Sequence, residues 1–293
     1  MQFSRQERFY RRVLLVGAGC FTFGLLLMLL PTEDFDAKWR PRIGAKAWPQ
    51  KKPRVAIDAA HWNGATAEGS YQPFAKLLAD DGYSVASYTE EWRLSGLRRF
   101  QVLVVVRPLG WSGSFRQLAA DLRLPAPPIE QQNPFGSGEI DAAKQYVQSG
   151  GRLLLIIDPN SAEASQQLAS QFGIGMNPDP AQDRIPPRFT PVAGMLGKHA
   201  ITREVKCVAS SGGQWLTGPA GSTPLLRVER NQVLAVASDY GQGRVVVLGD
   251  PGLASARFAG EGAKRIPIGM NQNDCDNLRF VRNLMFWLSE GTR

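Results

Sequence analysis

The chain has 293 residues, of which 43% are hydrophobic and 20% charged, with 30 glycines and 20 prolines. This composition is typical of a globular protein and excludes a disordered, collagen-like or disulfide-rich chain, while the length allows one large domain or two small ones. The net charge is +8, and a mean hydropathy of −0.21 excludes a multi-span membrane protein.

The first thirty residues differ from the rest. Residues 1–12 carry four arginines and one glutamate, and residues 13–30 contain no charge. A helix of this second length spans about 27 Å, close to the ~30 Å hydrocarbon core of a bilayer. We predict a basic cytoplasmic terminus over 1–12 and a transmembrane anchor in contact with lipid over 13–30. A cleaved signal peptide is the alternative, but its apolar region is normally about 7–15 residues long and ends at a small-x-small cleavage site.

The charges that flank the anchor predict its orientation. Four arginines precede it, whereas the far side begins with acidic residues and then turns basic, at Glu33, Asp34 and Asp36 followed by Lys38, Arg40 and Arg42. This bias favours the amino end inside. In a bacterium the anchor would lie in the cytoplasmic membrane as a single pass, with the rest of the chain on the extracytoplasmic side. We predict a linker over 31–53 and one α/β domain over 54–293.

The basic residues of the linker can be interpreted in two ways. They are solvated charges or contacts to lipid headgroups, the first being the simpler. No basic helix or stacking motif indicates nucleic acid. The residues concerned are Lys46, Lys51, Lys52 and Arg54.

Strand and helix patterns alternate along the body. Strands are predicted at 54–58, 83–88, 101–107 and 152–158, and helices at 71–81, 139–148 (with Ser137 as its cap) and 161–172. Three closely spaced strands follow at 225–230, 233–238 and 244–249, with 239–243 as a hairpin connection and 273–289 as a closing helix. The alternation predicts a largely parallel sheet with right-handed crossovers. The late strands either extend this sheet or form its antiparallel edge.

Two irregular stretches interrupt the pattern, at 108–136 and 173–198. Both are rich in proline, and the first contains a short helical pattern at 114–124. The first stretch follows the carboxyl end of a strand, where ligand sites form in such sheets. It is therefore either a lid over a site or, more simply, a packing insertion or a mobile loop.

The first strand ends in the densest polar cluster of any strand end. Asp58 can orient His61, His61 can act as a base or ligand donor, and Asn63 can bind a sugar hydroxyl or a carboxylate. Alternatively, Asp58 and Asn63 cap backbone groups of the turn. Asp158 and Asp250 also end strands and either face the same crevice or form turns. We predict ligand contacts at these five residues, for a small polar or sugar-like molecule.

Ser112 is a weaker catalytic candidate. It lies in Gly110-Trp-Ser112-Gly-Ser114, which departs from the nucleophile elbow Gly-x-Ser-x-Gly at its last position. A polar loop is the simpler interpretation. His61 and His199 are the chain's two histidines and the candidate imidazole bases for this serine.

Cysteine and glycine patterns add little chemistry. Cys207 and Cys275 can pair in an oxidising compartment, but pairing cannot be read from the sequence. The chain contains no Cys-x-x-Cys and no histidine cluster, and its Gly-x-Gly pairs lack the phosphate-loop pattern. We predict no metal and no cofactor.

Several short segments taken in order resemble the bacterial domain of unknown function 4350, a branch of the class I glutamine-amidotransferase-like fold. They are 58–63 (Asp-Ala-Ala-His-Trp-Asn), 71, 77–85, 102–106, 139–155, 243–250 and 283–288. The resemblance covers about 54–288 and implies a flavodoxin-like three-layer domain, frequently tethered to a membrane. It does not imply amidotransferase activity, since that chemistry needs a cysteine nucleophile in the turn after a strand. Cys20, Cys207 and Cys275 lie elsewhere.

These patterns lead to one functional hypothesis and two alternatives. The first is a membrane-anchored, non-catalytic α/β module of the cell envelope that binds a ligand or serves as a scaffold. The alternatives are an envelope hydrolase acting on a glycan through His61 with Asp58, or through Ser112, and an accessory subunit of a transporter or envelope-assembly complex with integral-membrane partners.

Overall fold

A computed structural model describes residues 35–110, 134–177, 185–228, 232–259 and 265–290. Within these ranges no helix is long and apolar enough to cross a bilayer. The terminus and anchor predicted at 1–12 and 13–30, and Ser112 with the helix predicted at 114–124, lie outside the described residues.

The described residues form thirteen strands and five α-helices. The strands are β1 (Arg54–Asp58), β2 (Ser84–Tyr88), β3 (Val102–Val106), β4 (Arg152–Ile156), β5 (Gly175–Met176), β6 (Arg188–Phe189), β7 (Val208–Ala209), β8 (Leu216–Thr217), β9 (Thr223–Arg227), β10 (Val233–Tyr240), β11 (Gly243–Leu248), β12 (Ala256–Ala259) and β13 (Ile266–Gly269). The helices are α1 (Gln72–Asp80), α2 (Leu94–Leu97), α3 (Ser137–Gln148), α4 (Ala162–Ser170) and α5 (Asn277–Ser289), with 3-10 turns at Ala200–Thr202 and Pro251–Ala254.

Nine strands form the central sheet. Five run parallel in the order β2, β1, β3, β4, β11, and β10 then pairs antiparallel with β11. Strands β8 and β9 both pair with β10, and β5 pairs with β8. Both arrangements predicted for the late strands therefore occur: β11 extends the parallel sheet, and β10 begins an antiparallel edge.

Helices cover both faces of the sheet, which gives the predicted flavodoxin-like arrangement of three layers. Alternate residues of β3 and β4 point to opposite faces, and every residue of β3 and the apolar residues of β4 are fully buried. One face packs against α1 and α5, and the other against α2, α3 and α4. Uninterrupted apolar strands of this kind are expected where a parallel sheet is covered on both sides.

Two helix starts differ from the prediction for identifiable reasons. Ser137 is the first residue of α3 rather than its cap, because the Gly136 amide donates to the Glu139 side chain (2.9 Å) and Gly136 takes the cap position. Helix α5 begins at Asn277, four residues later than predicted. Asp276 accepts from the Lys206 amide and donates its own amide to Cys207, which holds the preceding residues in a loop.

The later of the two stretches predicted to be irregular contains short strands. β5 and β6 lie within 173–198, and each pairs antiparallel with a strand further along the chain. Both are two residues long, too short to produce a periodic signal. Residues 178–184 between them lie outside the described residues.

Residues 35–48, within the predicted linker, lie against the body. Phe35 forms a β-bridge with Arg257, and the Trp48 amide donates to Asp81 (3.1 Å). Trp39, Ile43 and Trp48 pack their rings and side chains onto the core that α1 and α5 share. We call residues 35–48 the strap, since they run across the body instead of standing away from it.

Cys207 and Cys275 form a disulfide that spans 68 residues of sequence, with Cα atoms 4.8 Å apart. It joins the residue before β7 to the loop before α5. Replacing both cysteines, Cys207→Ser with Cys275→Ser, should lower the free energy of unfolding by about 2–5 kcal/mol, because the bridge restricts the unfolded chain. Urea unfolding of the full chain measures this effect.

The matched control is Cys20→Ser, which should unfold at the same urea concentration as the wild type. Dithiothreitol should lower the wild-type midpoint to that of the double variant and leave the variant unchanged. A double variant as stable as Cys20→Ser would show that the bridge does not contribute to stability.

Candidate functional site

The candidate site begins where β1 ends. Asp58 is fully buried as the last residue of the strand, and the Ala59 amide continues the pairing by donating to Tyr88 on β2 (2.8 Å). The chain then turns sharply, with Trp62 at a φ of 55°. A positive φ is uncommon for a large side chain and shows that the surrounding contacts hold the turn in place.

His61 lies between two carboxylates inside the domain and is 1% exposed. Its Nδ1 is 2.9 Å from Asp58 Oδ2, and its Nε2 is 2.9 Å from Glu139 Oε1. Glu139 is in the first turn of α3, 78 residues further along the chain. Both ring nitrogens are therefore engaged by carboxylates from the protein itself.

The two carboxylates accept further hydrogen bonds from the residues around them. Trp92 donates its indole N–H to Asp58 and its backbone N–H to Glu139, each at 3.0 Å. The Gly136 amide donates to the other oxygen of Glu139. The rings of Trp92 and Phe135 lie 4.5 and 4.7 Å from the imidazole, measured between ring centroids. We call Asp58, His61 and Glu139 the buried triad.

Charge within the buried triad is strongly coupled. Burial alone would lower the pKa of His61, but the charges and hydrogen bonds of Asp58 and Glu139 outweigh it and raise that pKa to about 9. Burial would likewise raise the pKa of Glu139, but its hydrogen bond with His61 and those from Gly136 and Trp92 lower it to about 2. At neutral pH the group is an imidazolium between carboxylates.

This protonation state limits what His61 can do. An imidazolium has no nitrogen lone pair with which to accept a proton or bind a metal. With both N–H groups donating to buried carboxylates, the arrangement favours a positioning role for His61 over the role of base. Among the residues that the structure describes, no group of three or more histidine, cysteine, aspartate or glutamate side chains is arranged so that it could hold a metal ion.

Asn63 connects the end of β1 to the end of β3. Its amide oxygen accepts from the His61 backbone (3.2 Å), and its amide nitrogen donates to Val106 (3.3 Å). It also forms a β-bridge with Pro108, while the Gly64 amide donates to Arg107 (2.8 Å). Asn63 is 3% exposed, so it satisfies backbone groups in the way that the capping alternative predicts.

Asp158 follows β4 and interacts with its own turn and with β3. Its carboxylate accepts from the amide and hydroxyl of Ser161 (both 2.9 Å) and forms an ion pair with Arg107 Nε (2.7 Å). Arg107 has a φ of 46° and also donates to Gly64 (3.3 Å). Side-chain exposures of 21% for Arg107 and 14% for Asp158 leave this pair partly accessible to solvent.

Asp250 follows β11 and is 1% exposed. It accepts hydrogen bonds from the Ser210 hydroxyl, the Ser211 amide and the Gly252 amide, at 2.7–2.8 Å. Burial raises the pKa of Asp250, although these hydrogen bonds oppose the shift. Tyr71 donates to the carbonyl of the next residue, Pro251 (2.6 Å), and thereby ties α1 to this turn.

The five residues predicted from the sequence therefore fall into two groups. Asp58, His61 and Asn63 lie together around the end of β1. Asp158 and Asp250 lie near Tyr71. Burial is the largest cause that raises the pKa of Tyr71, and the charge of Asp250 and, to a smaller extent, that of Asp158 raise it further. Sequence reasoning missed Glu139, Trp92 and Arg107. The position of Glu139 in the first turn of a helix was the one signal available, and it indicates capping rather than a histidine partner.

No protein-family model matches the chain, and no curated protein matches it significantly. Solved structures do match. The N-terminal domain of mmIFT52 is 15% identical with a TM-score of 0.57, over 82% of this chain and 99% of that domain. A ThuA-like protein from Bacteroides uniformis has 11% identity and a TM-score of 0.43, over 84% and 94% of the two chains.

A glutamine amidotransferase from Thermotoga maritima is also among the matches, with 12% identity and a TM-score of 0.39 over 70% of this chain and 78% of that one. At 15% identity the mmIFT52 domain shows a shared fold alone. TM-scores below 0.5 carry no argument about this chain, so the chemistry of the site rests on its own geometry.

The buried triad predicts a specific pH profile. The pKa of His61 is raised from 6.5 to about 9, so its stabilisation is complete below about pH 6.5 and is lost as the pH rises through 9. Glu139, whose pKa is lowered from 4.5 to about 2, stabilises the folded state above about pH 4.5, and this stabilisation is lost as the pH falls toward 2. Between pH 6.5 and 9 we expect the free energy of unfolding to fall by on the order of 3 kcal/mol, measured by urea unfolding.

The control for this profile is the neutral pair His61→Gln with Glu139→Gln, whose stability should change little over the same interval. His61→Gln alone should be less stable than the pair, because it leaves two buried carboxylates without a cation. A wild-type profile that is level from pH 6.5 to 9, or one that matches the neutral pair, would contradict the charged triad.

Proposed function

We propose that the chain is a membrane-anchored, non-catalytic α/β module of the bacterial cell envelope that binds a ligand or partner or serves as a scaffold. We further propose that it belongs to the domain-of-unknown-function 4350 branch of the amidotransferase-like fold. The non-catalytic part is supported by one observation: both ring nitrogens of His61 are hydrogen-bonded to buried carboxylates.

The region around the triad supports this proposal. In a parallel sheet of order 2-1-3-4, ligands bind where the strand order reverses, outside the carboxyl ends of β1 and β3. Here these two ends are hydrogen-bonded to each other, since Gly64 donates to Arg107 and Gly110 donates to His61. These hydrogen bonds between the two turns support a structural rather than a catalytic role for this end of the sheet.

Two features support an extracytoplasmic location. The uncharged run at 13–30 and the arginines before it favour an anchor with the body outside. The disulfide between Cys207 and Cys275 is of a kind that persists in oxidising compartments such as the periplasm and is rare in the cytosol. A protein so placed would meet integral-membrane partners or polar envelope ligands.

Reporter fusions test the location. Alkaline phosphatase fused after Arg293 should be active, because that enzyme matures only where its disulfides can form. A green fluorescent protein fusion at the same position should be dark, since it does not mature after export in an unfolded state. Deleting residues 1–30 should reverse both signals. An inactive phosphatase together with a fluorescent full-length fusion would refute the proposed orientation.

A turnover assay tests the non-catalytic part. The detergent-solubilised chain, Ser112→Ala and the pair His61→Gln with Glu139→Gln would be incubated with chromogenic glycosides and acyl esters. We expect equal background rates in all three, because His61 has no lone pair to serve as a base. Hydrolysis by the wild type that is lost in either folded variant would establish the hydrolase alternative.

A further inference from the structure

A groove of about 1040 Å³ lies between the strap and the beginning of α5. The strap forms one wall through residues 39–42, 44 and 47. The other wall comes from residues 270–273, the bridged Cys275 and the exposed side of α5. The groove lies apart from the buried triad, whose residues do not contribute to its lining.

Arginines dominate the charge of this groove. Arg40 and Arg42 reach it from the strap, and Arg279 and Arg282 reach it from α5. The strap arginines are exposed, and no carboxylate of the described chain pairs with either of them. Arg40 donates from Nη1 to the carbonyls of Ala37 and Trp39, which steadies the side chain without neutralising it.

The acidic residues of the groove are already engaged. Asp81 is 1% exposed and accepts from Arg282 through two nitrogens, at 2.8 and 3.0 Å, and from the Ala47 amide (2.8 Å). Asp276 accepts from the Lys206 amide (2.8 Å). Arg279 pairs at the outer rim with Glu204. With Asp81 paired to Arg282 and Arg279 paired to Glu204, the two strap arginines outnumber the one remaining lining carboxylate, Asp276, and leave the described lining with a net positive charge.

The shape of the groove suits an anion with an apolar portion. The amino end of α5, a helix of thirteen residues, opens on it and adds the positive end of the helix dipole. Phe286 lines the same groove with 37% of its surface exposed, and Trp39 lines it from the strap. Cationic donors beside exposed aromatic surface fit a phosphate group that carries a hydrophobic substituent.

The position of the groove along the chain indicates where such an anion would come from. At most about 17 Å of extended chain separates residue 30, the end of the predicted anchor, from Phe35, where the strap joins the body. Arg40 and Arg42 follow within a few residues. A body attached so closely would lie within reach of lipid headgroups, near which each basic residue is worth a severalfold gain in affinity.

We propose that the groove between the strap and α5 binds a phosphate-bearing anion, and that an anionic phospholipid headgroup supplies it. The identity of the lipid as the source rests on the proposed anchor, whereas the phosphate site itself does not. Occupancy would hold the strap, α5 and the membrane surface in one arrangement and so orient the whole domain on the bilayer.

Native mass spectrometry of the full chain released from detergent tests the proposal. The chain would be titrated with dioctanoyl phosphatidylglycerol, with dioctanoyl phosphatidylcholine, and with inorganic phosphate as a competitor. Arg40→Gln with Arg42→Gln should raise the Kd for phosphatidylglycerol about 30-fold, roughly fivefold for each arginine. Arg40→Lys with Arg42→Lys should stay within about threefold of the wild type, since it keeps the charge.

The matched control is Arg93→Gln with Arg98→Gln, two exposed arginines elsewhere on the surface, which should leave the Kd unchanged. Unchanged thermal unfolding of each variant would exclude misfolding. Equal affinity for inorganic phosphate would support the site and identify free phosphate as its occupant. Equal binding of the two lipids without phosphate competition, or equal losses in both glutamine pairs, would overturn the proposal. Because binding is measured in detergent, these outcomes are independent of the phosphatase result.

Discussion

The buried imidazolium of His61 is the constraint on which the end of the sheet depends. It joins the last residue of β1 to the first turn of α3, and Trp92 joins the segment before α2 to both carboxylates. Charges withdrawn from water are stabilising only when each one is paired and its remaining hydrogen-bonding capacity is used. Removing His61 would leave two buried carboxylates without a cation, so the segments that carry them must adopt their positions together with the turn that carries His61.

This constraint also shapes the turn that follows β1. With His61 drawn inward, the turn after β1 takes a positive φ at Trp62 and presents backbone groups of Asn63 and Gly64 to the end of β3. The turn after β1 is thus hydrogen-bonded to the residues that follow β3. Asp58, His61 and Asn63 thus hold the turn together, whereas the ion pair of Arg107 and Asp158 is partly accessible to solvent.

The fold was predictable because its strands carry uninterrupted apolar runs; β1, β3, β4 and β11 lie within two residues of their predicted ends. The hairpin was predictable from Gly241, whose φ of 59° suits a tight turn. The site was predictable only in part. Local pattern brings Asp58, His61 and Asn63 together, but the partner Glu139 is distant in sequence and carries only a helix-start signal. The strap was not predictable either, since Trp39, Ile43 and Trp48, which pack on the core, are widely spaced among lysines and arginines.

The strap shows where part of the chain's excess positive charge lies. Asp81 is neutralised by Arg282 of α5, and it also receives the Ala47 amide, so the same carboxylate fixes both the helix and the strap. An acidic residue used in this way cannot offset the arginines nearby, and Arg40 and Arg42 keep their charge at the surface. Asp81 therefore attaches the strap to the body, but Arg282 already neutralises its charge, so the positive charge of the neighbouring strap arginines is not offset by it. Part of the excess of +8 is therefore localised where the chain enters the domain, rather than spread over the surface.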